Sequence, residues 1–108
     1  MITRQDLYTI NEVPGKKIVD VKGYVKGSTV QTRHVGKDIF AGFKSLVGGE
    51  ITGYTEMMDE ARRIATERLL KDAEELGANA IVGFRLQTSQ VMQGAAEIIA
   101  YGTAVLVD

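Results

Sequence analysis

The sequence predicts an α+β domain in which a small antiparallel three-stranded sheet packs on one long and one short helix, in the order β-α-α-β-β. Three observations support this prediction. Apolar and polar residues alternate after Pro14, apolar residues recur at helical spacing from Tyr54 to Leu76, and two further strand patterns follow Gly77. At 108 residues, the chain has the length of one small domain, predicted over 1–108 with an extended N-terminal lead-in over 1–16.

The first strand is predicted in KIVDVKGYVKG, which follows the turn indicated by Pro14 and Gly15. Alternate positions place four small or apolar residues on one face: Val19, Val21, Gly23 and Val25. The other face carries charged residues and Tyr24. This pattern is typical of a half-buried strand, so we expect the valine face to be buried.

A short helix is predicted in DIFAGFKSLVG, because its apolar residues recur at helical spacing. Those residues are Ile39, Phe40, Phe43, Leu46 and Val47. Gly48 and Gly49 follow, and we expect them to let the chain turn between the short helix and the long one.

The long helix is predicted from about Tyr54 to Leu76 and would be about 35 Å long at 1.5 Å per residue. Gly77 stands where a left-handed C-cap is needed. Arg68 and Asp72 fall within the apolar side of this helix, four residues apart. That spacing allows an ion pair between them.

Two strands are predicted after the helix. In AIVGFRLQTS, alternation places Val82, Phe84 and Leu86 on one face and Ile81 on the other. The last run, AEIIAYGTAVLV, is apolar on both faces, which is typical of a central strand covered on both sides. A single long helix covers one side, so we expect another subunit to cover the second.

Composition limits the partners. The chain has 13 basic and 14 acidic residues, a net charge of -1 and no basic cluster, which disfavours nucleic acid. It has no cysteine, which excludes disulfides and thiolate chemistry. No apolar run approaches the roughly 20 residues that span a bilayer, and the N-terminus lacks a signal-peptide pattern. We expect a cytoplasmic protein without nucleic-acid or membrane partners.

Several short motifs resemble the YbjQ-like family, an uncharacterised protein family that carries a heavy-metal-binding label. They are Gly23 and Gly27 around the first strand, the AG and VGG pieces within 41–49, Tyr54, EAR at 60–62, LGANAIVG at 76–83 and GTAV at 102–105. Their order and spacing carry the resemblance. It implies a small antiparallel α/β unit that assembles into a homo-oligomeric ring, a homopentamer, and it implies little about chemistry.

The stretch SLVGGEITGY raises the question of a ligand site, because free N–H groups at a glycine-rich helix start bind anions. It matches neither the P-loop nor the dinucleotide pattern, and Glu50 would repel an anion. A structural turn is therefore the favoured interpretation. In the alternative, a small ligand or ion binds at subunit interfaces near Gly48, Gly49, Tyr54 and Arg62, where Arg62 neutralises an anion and Tyr54 stacks on it.

The heavy-metal label fits the sequence poorly. Transition metals prefer imidazole or thiolate ligands, and His34 is the single histidine of the chain. His34 is therefore a weak metal candidate, and a solvated loop histidine is the favoured interpretation. No catalytic triad or nucleophile elbow is present, so we predict no catalytic residues and no cofactor. We favour a ligand- or ion-binding ring; a purely structural ring, a metal-binding protein and an enzyme stay open as alternatives.

Overall fold

The long helix and three long strands are present in a computed structural model, which describes residues 2–32, 46–47, 50–92 and 95–108. At 32, 46–47, 50–54 and 91 this description covers the backbone. The strands are β1 (Ile18–Thr32), β2 (Leu46–Val47), β3 (Glu50–Ile51), β4 (Ala80–Met92) and β5 (Ala95–Val107), and the helix α1 is Thr52–Glu75. A short 3-10 helix, Arg4–Asp6, precedes them.

The three long strands form an antiparallel sheet in the order β1-β5-β4. The last strand of the chain is therefore the central one, as its doubly apolar pattern predicts. Its burial alternates, and Ile98, Ala100 and Ala104 are fully buried on the side that faces α1. The predicted α+β class with a three-stranded antiparallel sheet is confirmed within the described residues.

Helix α1 packs on the sheet through a stripe of small residues, Ala61, Ala65 and Ala73, together with Leu69, all fully buried. These residues follow the spacing of three to four that places them on one face. Small side chains allow a close approach to β1. A Cβ atom added at Gly27 would lie 2.2 Å from the carbonyl oxygen of Ala65, so only glycine fits there.

The helix ends where the sequence predicts. Gly77 adopts a φ of 80°, its N–H donates to the carbonyl of Glu74, and the N–H of Ala78 donates to the carbonyl of Ala73. These two bonds form a Schellman motif, which satisfies carbonyls that the last helical turn leaves without partners. Asn79 then aligns β4 with β5, because its side-chain amide exchanges two hydrogen bonds with the backbone of Val107.

The prediction of which side chains share a face is wrong at two places. In β1, Val19 and Val21 are 52% and 62% exposed, and only Val25 of the predicted valine face is buried. The reason is a pair of register shifts, between Ile18 and Asp20 and between Val21 and Gly23. Each bulge inserts a residue and reverses the alternation that follows it.

The same effect changes β4. The register shifts between Val82 and Arg85, where Gly83 has a φ of 64°. Ile81 therefore packs in the core beneath α1 together with Phe84, although strict alternation separates them. Val82, by contrast, packs with Val105 on the opposite side of the sheet. Alternation is a local pattern, whereas a bulge depends on the partner strand.

The predicted short helix is wrong at its described end. Leu46 and Val47 form a strand that pairs with Glu50 and Ile51 in a separate two-stranded sheet. Cross-strand pairing with β3 accounts for the difference, since β-branched residues favour strands. The rest of that predicted helix lies outside the described residues.

The N-terminal segment lies beside β4 and covers part of the second face of the sheet. The N–H of Tyr8 donates to the carbonyl of Ile81 at 2.8 Å, and the N–H of Phe84 donates to the carbonyl of Tyr8 at 2.9 Å. Val13 packs against Val105 and Val107. At this end of β5 the second cover is thus the chain itself, where the sequence led us to expect another subunit.

Candidate ligand-binding groove

A groove lies between α1, β4 and the N-terminal segment. Its volume is about 510 Å³, which is within the range of small-molecule sites. The N-terminal segment contributes Arg4 and Leu7, and β4 contributes Phe84 and Leu86. Helix α1 contributes five further side chains, so three separate parts of the chain build the groove.

The five helical residues occupy one face of α1. They are Asp59, Arg62, Arg63, Thr66 and Glu67, and steps of three and four residues bring such positions to the same side of a helix. This face lies beside the buried alanine stripe. The groove therefore runs along the edge of the contact between α1 and the sheet, and the helix forms its polar wall.

The arginines of this wall have carboxylate partners on the same helix. Arg62 Nη1 donates to Asp59 Oδ1 at 3.0 Å. Arg63 Nη1 donates to Glu67 Oε1 at 2.8 Å, and Arg63 also forms a two-point contact with Glu60. Glu60 and Arg62 are thus paired within α1.

These pairs shift two pKa values. The hydrogen bonds from Arg63 lower the pKa of the Glu60 carboxyl below its ordinary value. Those from Glu60 and then Glu67 raise the pKa of Arg63 above its ordinary value. Both causes are ordinary exposed ion pairs, which contribute little to stability.

Arg4 differs from the two helical arginines. Among the described residues it forms no ion pair. Its backbone is held by a capping box, in which the N–H of Thr3 donates to Asp6 Oδ2 at 2.8 Å and the N–H of Gln5 donates to the Thr3 hydroxyl. Arg4 thus brings to the groove a positive charge that has no carboxylate partner within the described residues, from a short helix whose backbone is held in place.

The floor of the groove is apolar. Leu7 and Phe84 are half-buried and pack against the core beneath α1. Leu86 is 42% exposed and pairs in register with Ala100, so it lies on the side of the sheet that faces the helix. An exposed leucine beside a half-buried phenylalanine offers a surface for an apolar ligand body.

Of the residues predicted to form a site, the structure places Arg62 in the groove. Tyr54 lies in the first turn of α1, eight residues before Arg62, which corresponds to about 12 Å along the helix axis. Its side chain is not described. Gly48, Gly49 and His34 lie outside the described residues, so the predicted glycine-rich site is not tested.

Sequence reasoning missed Arg4 and Phe84 as neighbours of Arg62. The sequence does contain a weak signal for the helical wall, because its five polar residues, from Asp59 to Glu67, are spaced so that they share one helix face. No local signal connects Arg4 to the helix. The parallel bridge between Leu7 and Ile81 brings the N-terminal segment to this side of the sheet. The spacing of residues in the sequence does not predict such a long-range contact.

The donor set for a heavy metal is not present in the part of the chain that the structure describes. No group of three or more His, Cys, Asp or Glu side chains converges there in a way that would hold a metal ion. The acidic residues near the groove instead bind arginines.

No described helix is both long and apolar enough to cross a membrane.

Within the described residues, the fold and groove define a small α+β protein with a long amphipathic helix and an arginine-lined groove beside it. Solved structures contain a similar fold: a protein of unknown function of the DUF74 family from Pediococcus pentosaceus has a TM-score of 0.60 and 20% identity. The alignment covers 94% of this chain and 96% of that one. At this identity the likeness concerns the fold alone.

The family follows from closer relatives. The chain is 65% identical to a UPF0145 protein of Halalkalibacterium halodurans over 94% of its length and 96% of the relative's. It is 59% identical to a UPF0145 protein of Clostridioides difficile, with 94% and 91% covered. A family model described as "Putative heavy-metal-binding" matches residues 6–108. The chain therefore belongs to the YbjQ family, whose function is uncharacterised.

Proposed function

We propose that the protein is a non-enzymatic small-ligand-binding module and that the groove beside α1 is its binding site. The observation that carries this proposal is the cavity of about 510 Å³ with Arg62 on its wall and Phe84 on its floor. An apolar surface with a few converging polar groups is the usual composition of a small-molecule site. In this proposal Arg62 has the ligand-binding role that the sequence predicts for it, at a groove within one chain instead of at a subunit interface.

Binding is favoured over catalysis because the charged side chains of the helical wall are held in exposed ion pairs with one another. Catalytic acids and bases are commonly displaced in pKa by burial or by like charges. Here the pKa of Glu60 is lowered by a hydrogen bond from Arg63 on the solvent side of α1. Arg62 and Asp59 form an exposed pair that a ligand anion can replace at little cost.

A screen by thermal shift tests the proposed site. We expect at least one small organic anion to raise the melting temperature of the wild type, and Arg62→Ala to weaken that binding. Lys71→Ala is the matched control, because it removes a positive charge from an exposed position on α1 more than two turns away. Equal binding by the wild type and Arg62→Ala would contradict the groove as the site.

The metal reading suggested by the family description is the second candidate. It depends on His34, which lies outside the described residues and could be shared between symmetry-related copies. Mass measured on the untagged protein before and after a chelator decides this question. A chelator-sensitive mass would favour metal binding, and an unchanged chain mass would favour the organic ligand.

We also propose that the protein assembles into a homo-oligomeric ring, a pentamer, in the cytoplasm. The support is the sheet face opposite α1, where Val21, Tyr24 and Val30 are exposed on the same side of β1. Several exposed apolar residues along one sheet face favour a protein contact. Native mass spectrometry of the wild type should give five subunits, and Tyr24→Lys should release smaller species. A monomeric wild type would overturn the assembly.

A further inference from the structure

We infer that the groove selects a singly charged organic anion with an apolar body, such as an aryl or alkyl monocarboxylate, and that Arg4 binds its carboxylate. The inference rests on the proposed function and adds the chemical class of the ligand. Its basis is that Arg4, whose guanidinium has no ion-pair partner among the described residues, lines the same groove as an apolar floor and a helical wall of paired charges.

The first step is the balance of charge on the lining. Arg62 is paired with Asp59, and Arg63 is paired with Glu67 and with Glu60 outside the lining. Arg4 alone among the lining arginines has no carboxylate partner in the described part of the chain. A guanidinium binds carboxylates through two parallel hydrogen bonds, so the groove has one anion anchor without a partner.

The second step is that Arg4 is positioned by the fold. Its 3-10 helix is closed by the Thr3–Asp6 capping box, and the next residue, Leu7, forms a bridge to Ile81 at the start of β4. Both contacts fix the backbone on each side of Arg4. A positioned anchor loses less entropy on binding than one on a free chain terminus.

The third step is the apolar floor next to the anchor. Leu7, Phe84 and Leu86 line the same groove as Arg4, and Leu86 remains 42% exposed. An aryl or alkyl group placed there removes apolar surface from water, which is favourable in proportion to the area buried. The pairing of anchor and floor selects an amphipathic anion over an inorganic one.

The fourth step concerns the charge of the ligand. Asp59 and Glu67 also line the groove, and both side chains are exposed. A phosphate ester carries close to two negative charges at neutral pH. Arg4 balances one of them, and the second would lie near these carboxylates without an unpaired cation among the described lining residues. The groove therefore favours a monocarboxylate over a phosphate ester of the same apolar body.

Three probes with one apolar body test the inference: 3-phenylpropionate, 2-phenylethyl phosphate and 3-phenylpropanol. Binding is followed by amide chemical shifts of the full chain, which also report where each probe binds. We expect 3-phenylpropionate to move the amides of Leu7, Arg62 and Phe84, and to bind at least about fivefold more tightly than the other two.

Arg4→Gln should weaken the binding of 3-phenylpropionate by about tenfold, because a neutral amide replaces the guanidinium that pairs with the carboxylate. Lys16→Gln is the matched control, since it removes an exposed charge from the same segment outside the groove. Both positions are exposed, and the amide spectrum of each variant verifies that it folds.

The outcomes separate this inference from the proposed function. Equal or tighter binding of the phosphate or the alcohol in the groove would overturn the monocarboxylate class and leave the groove as a ligand site. Unchanged affinity in Arg4→Gln would overturn the role of Arg4 in the same way. If 3-phenylpropionate moves no groove amide, the inference fails; if no compound in the thermal-shift screen binds in an Arg62-dependent manner, the proposed function fails as well.

Discussion

The carboxylate of Asp72 accepts a hydrogen bond of 3.1 Å from the backbone N–H of Lys26. One turn earlier on the same helix, Arg68 Nη1 donates to the carbonyl of Ser28 at 2.6 Å. Since β1 is an edge strand of the described sheet, these two side chains form hydrogen bonds with backbone groups of β1 that point away from β5. They do not pair with each other, contrary to the prediction from their spacing.

The contact leads to a first prediction. Asp72→Ala leaves the Lys26 N–H without its partner, so we expect a loss of about 1 kcal/mol in the free energy of unfolding, measured by denaturant titration. An edge strand with free backbone groups also favours edge-to-edge association. Light scattering of the variant should therefore rise on heating before that of the wild type.

Glu75→Ala is the control for this experiment, because Glu75 is exposed near the end of the same helix. It should change neither stability nor scattering appreciably. An Asp72→Ala variant as stable as Glu75→Ala would show that the hydrogen bond to β1 contributes nothing.

A second prediction concerns the contact of α1 with β1. In Gly27→Ala the new Cβ would lie 2.2 Å from the Ala65 carbonyl oxygen and 2.3 Å from the Leu69 nitrogen. Both atoms are helix backbone, so α1 must shift as a unit, and we expect a destabilisation of about 1–3 kcal/mol or more. Thermal and chemical unfolding measure it. Lys26→Ala is the control, because Lys26 immediately precedes Gly27 and its side chain is exposed; this variant should be about as stable as the wild type. Equal stability of Gly27→Ala and Lys26→Ala would refute the steric argument.

A third prediction concerns the N-terminal segment. Arg85 Nη1 donates to the carbonyls of Thr9 and Phe84, at 2.8 Å each, and thereby joins the segment to β4. Removing these bonds in Arg85→Gln should speed hydrogen exchange of the Tyr8 amide by about fivefold, the equivalent of roughly 1 kcal/mol. Gln87→Ala, further along β4 and exposed, is the control. Unchanged exchange at Tyr8 would mean that Arg85 does not hold the segment.

A fourth prediction follows from the pKa of Glu60, which is lowered in the folded protein by hydrogen bonds from Arg63. A group with a lowered folded pKa stabilises the fold above its unfolded pKa, and this contribution is lost as the pH falls through the folded value. Glu60→Gln should therefore have a slightly lower melting temperature than the wild type at pH 7. The difference should disappear in acid, once Glu60 is protonated in the wild type.

The effect should be small, because both side chains are in solvent and salt screens the pair. Glu74→Gln, an exposed glutamate on the same helix, should show no such pH-dependent difference. A difference between the wild type and Glu60→Gln that persists unchanged from pH 7 to acid would contradict the assignment to this ion pair.

The helix and the central strand could be predicted from sequence because their signals are local or very strong. The stop at Gly77 is a property of one residue that accepts a positive φ, and the spacing of Ala61, Ala65 and Leu69 is a property of the helix itself. The last strand was predicted to be central because both of its faces are apolar. In each case the pattern contains the physical cause.

By itself, then, the sequence determined the α+β class, the long helix with its end, and the central strand. Only the tertiary structure decided which valines of β1 are buried and that Arg4, Arg62 and Phe84 line one groove. The bulges at Val19, at Lys22 and near Gly83 arise from pairing with β5, and the groove arises from Leu7 pairing with β4. Their free energies depend on contacts between residues far apart in the chain, which no periodicity within a segment records.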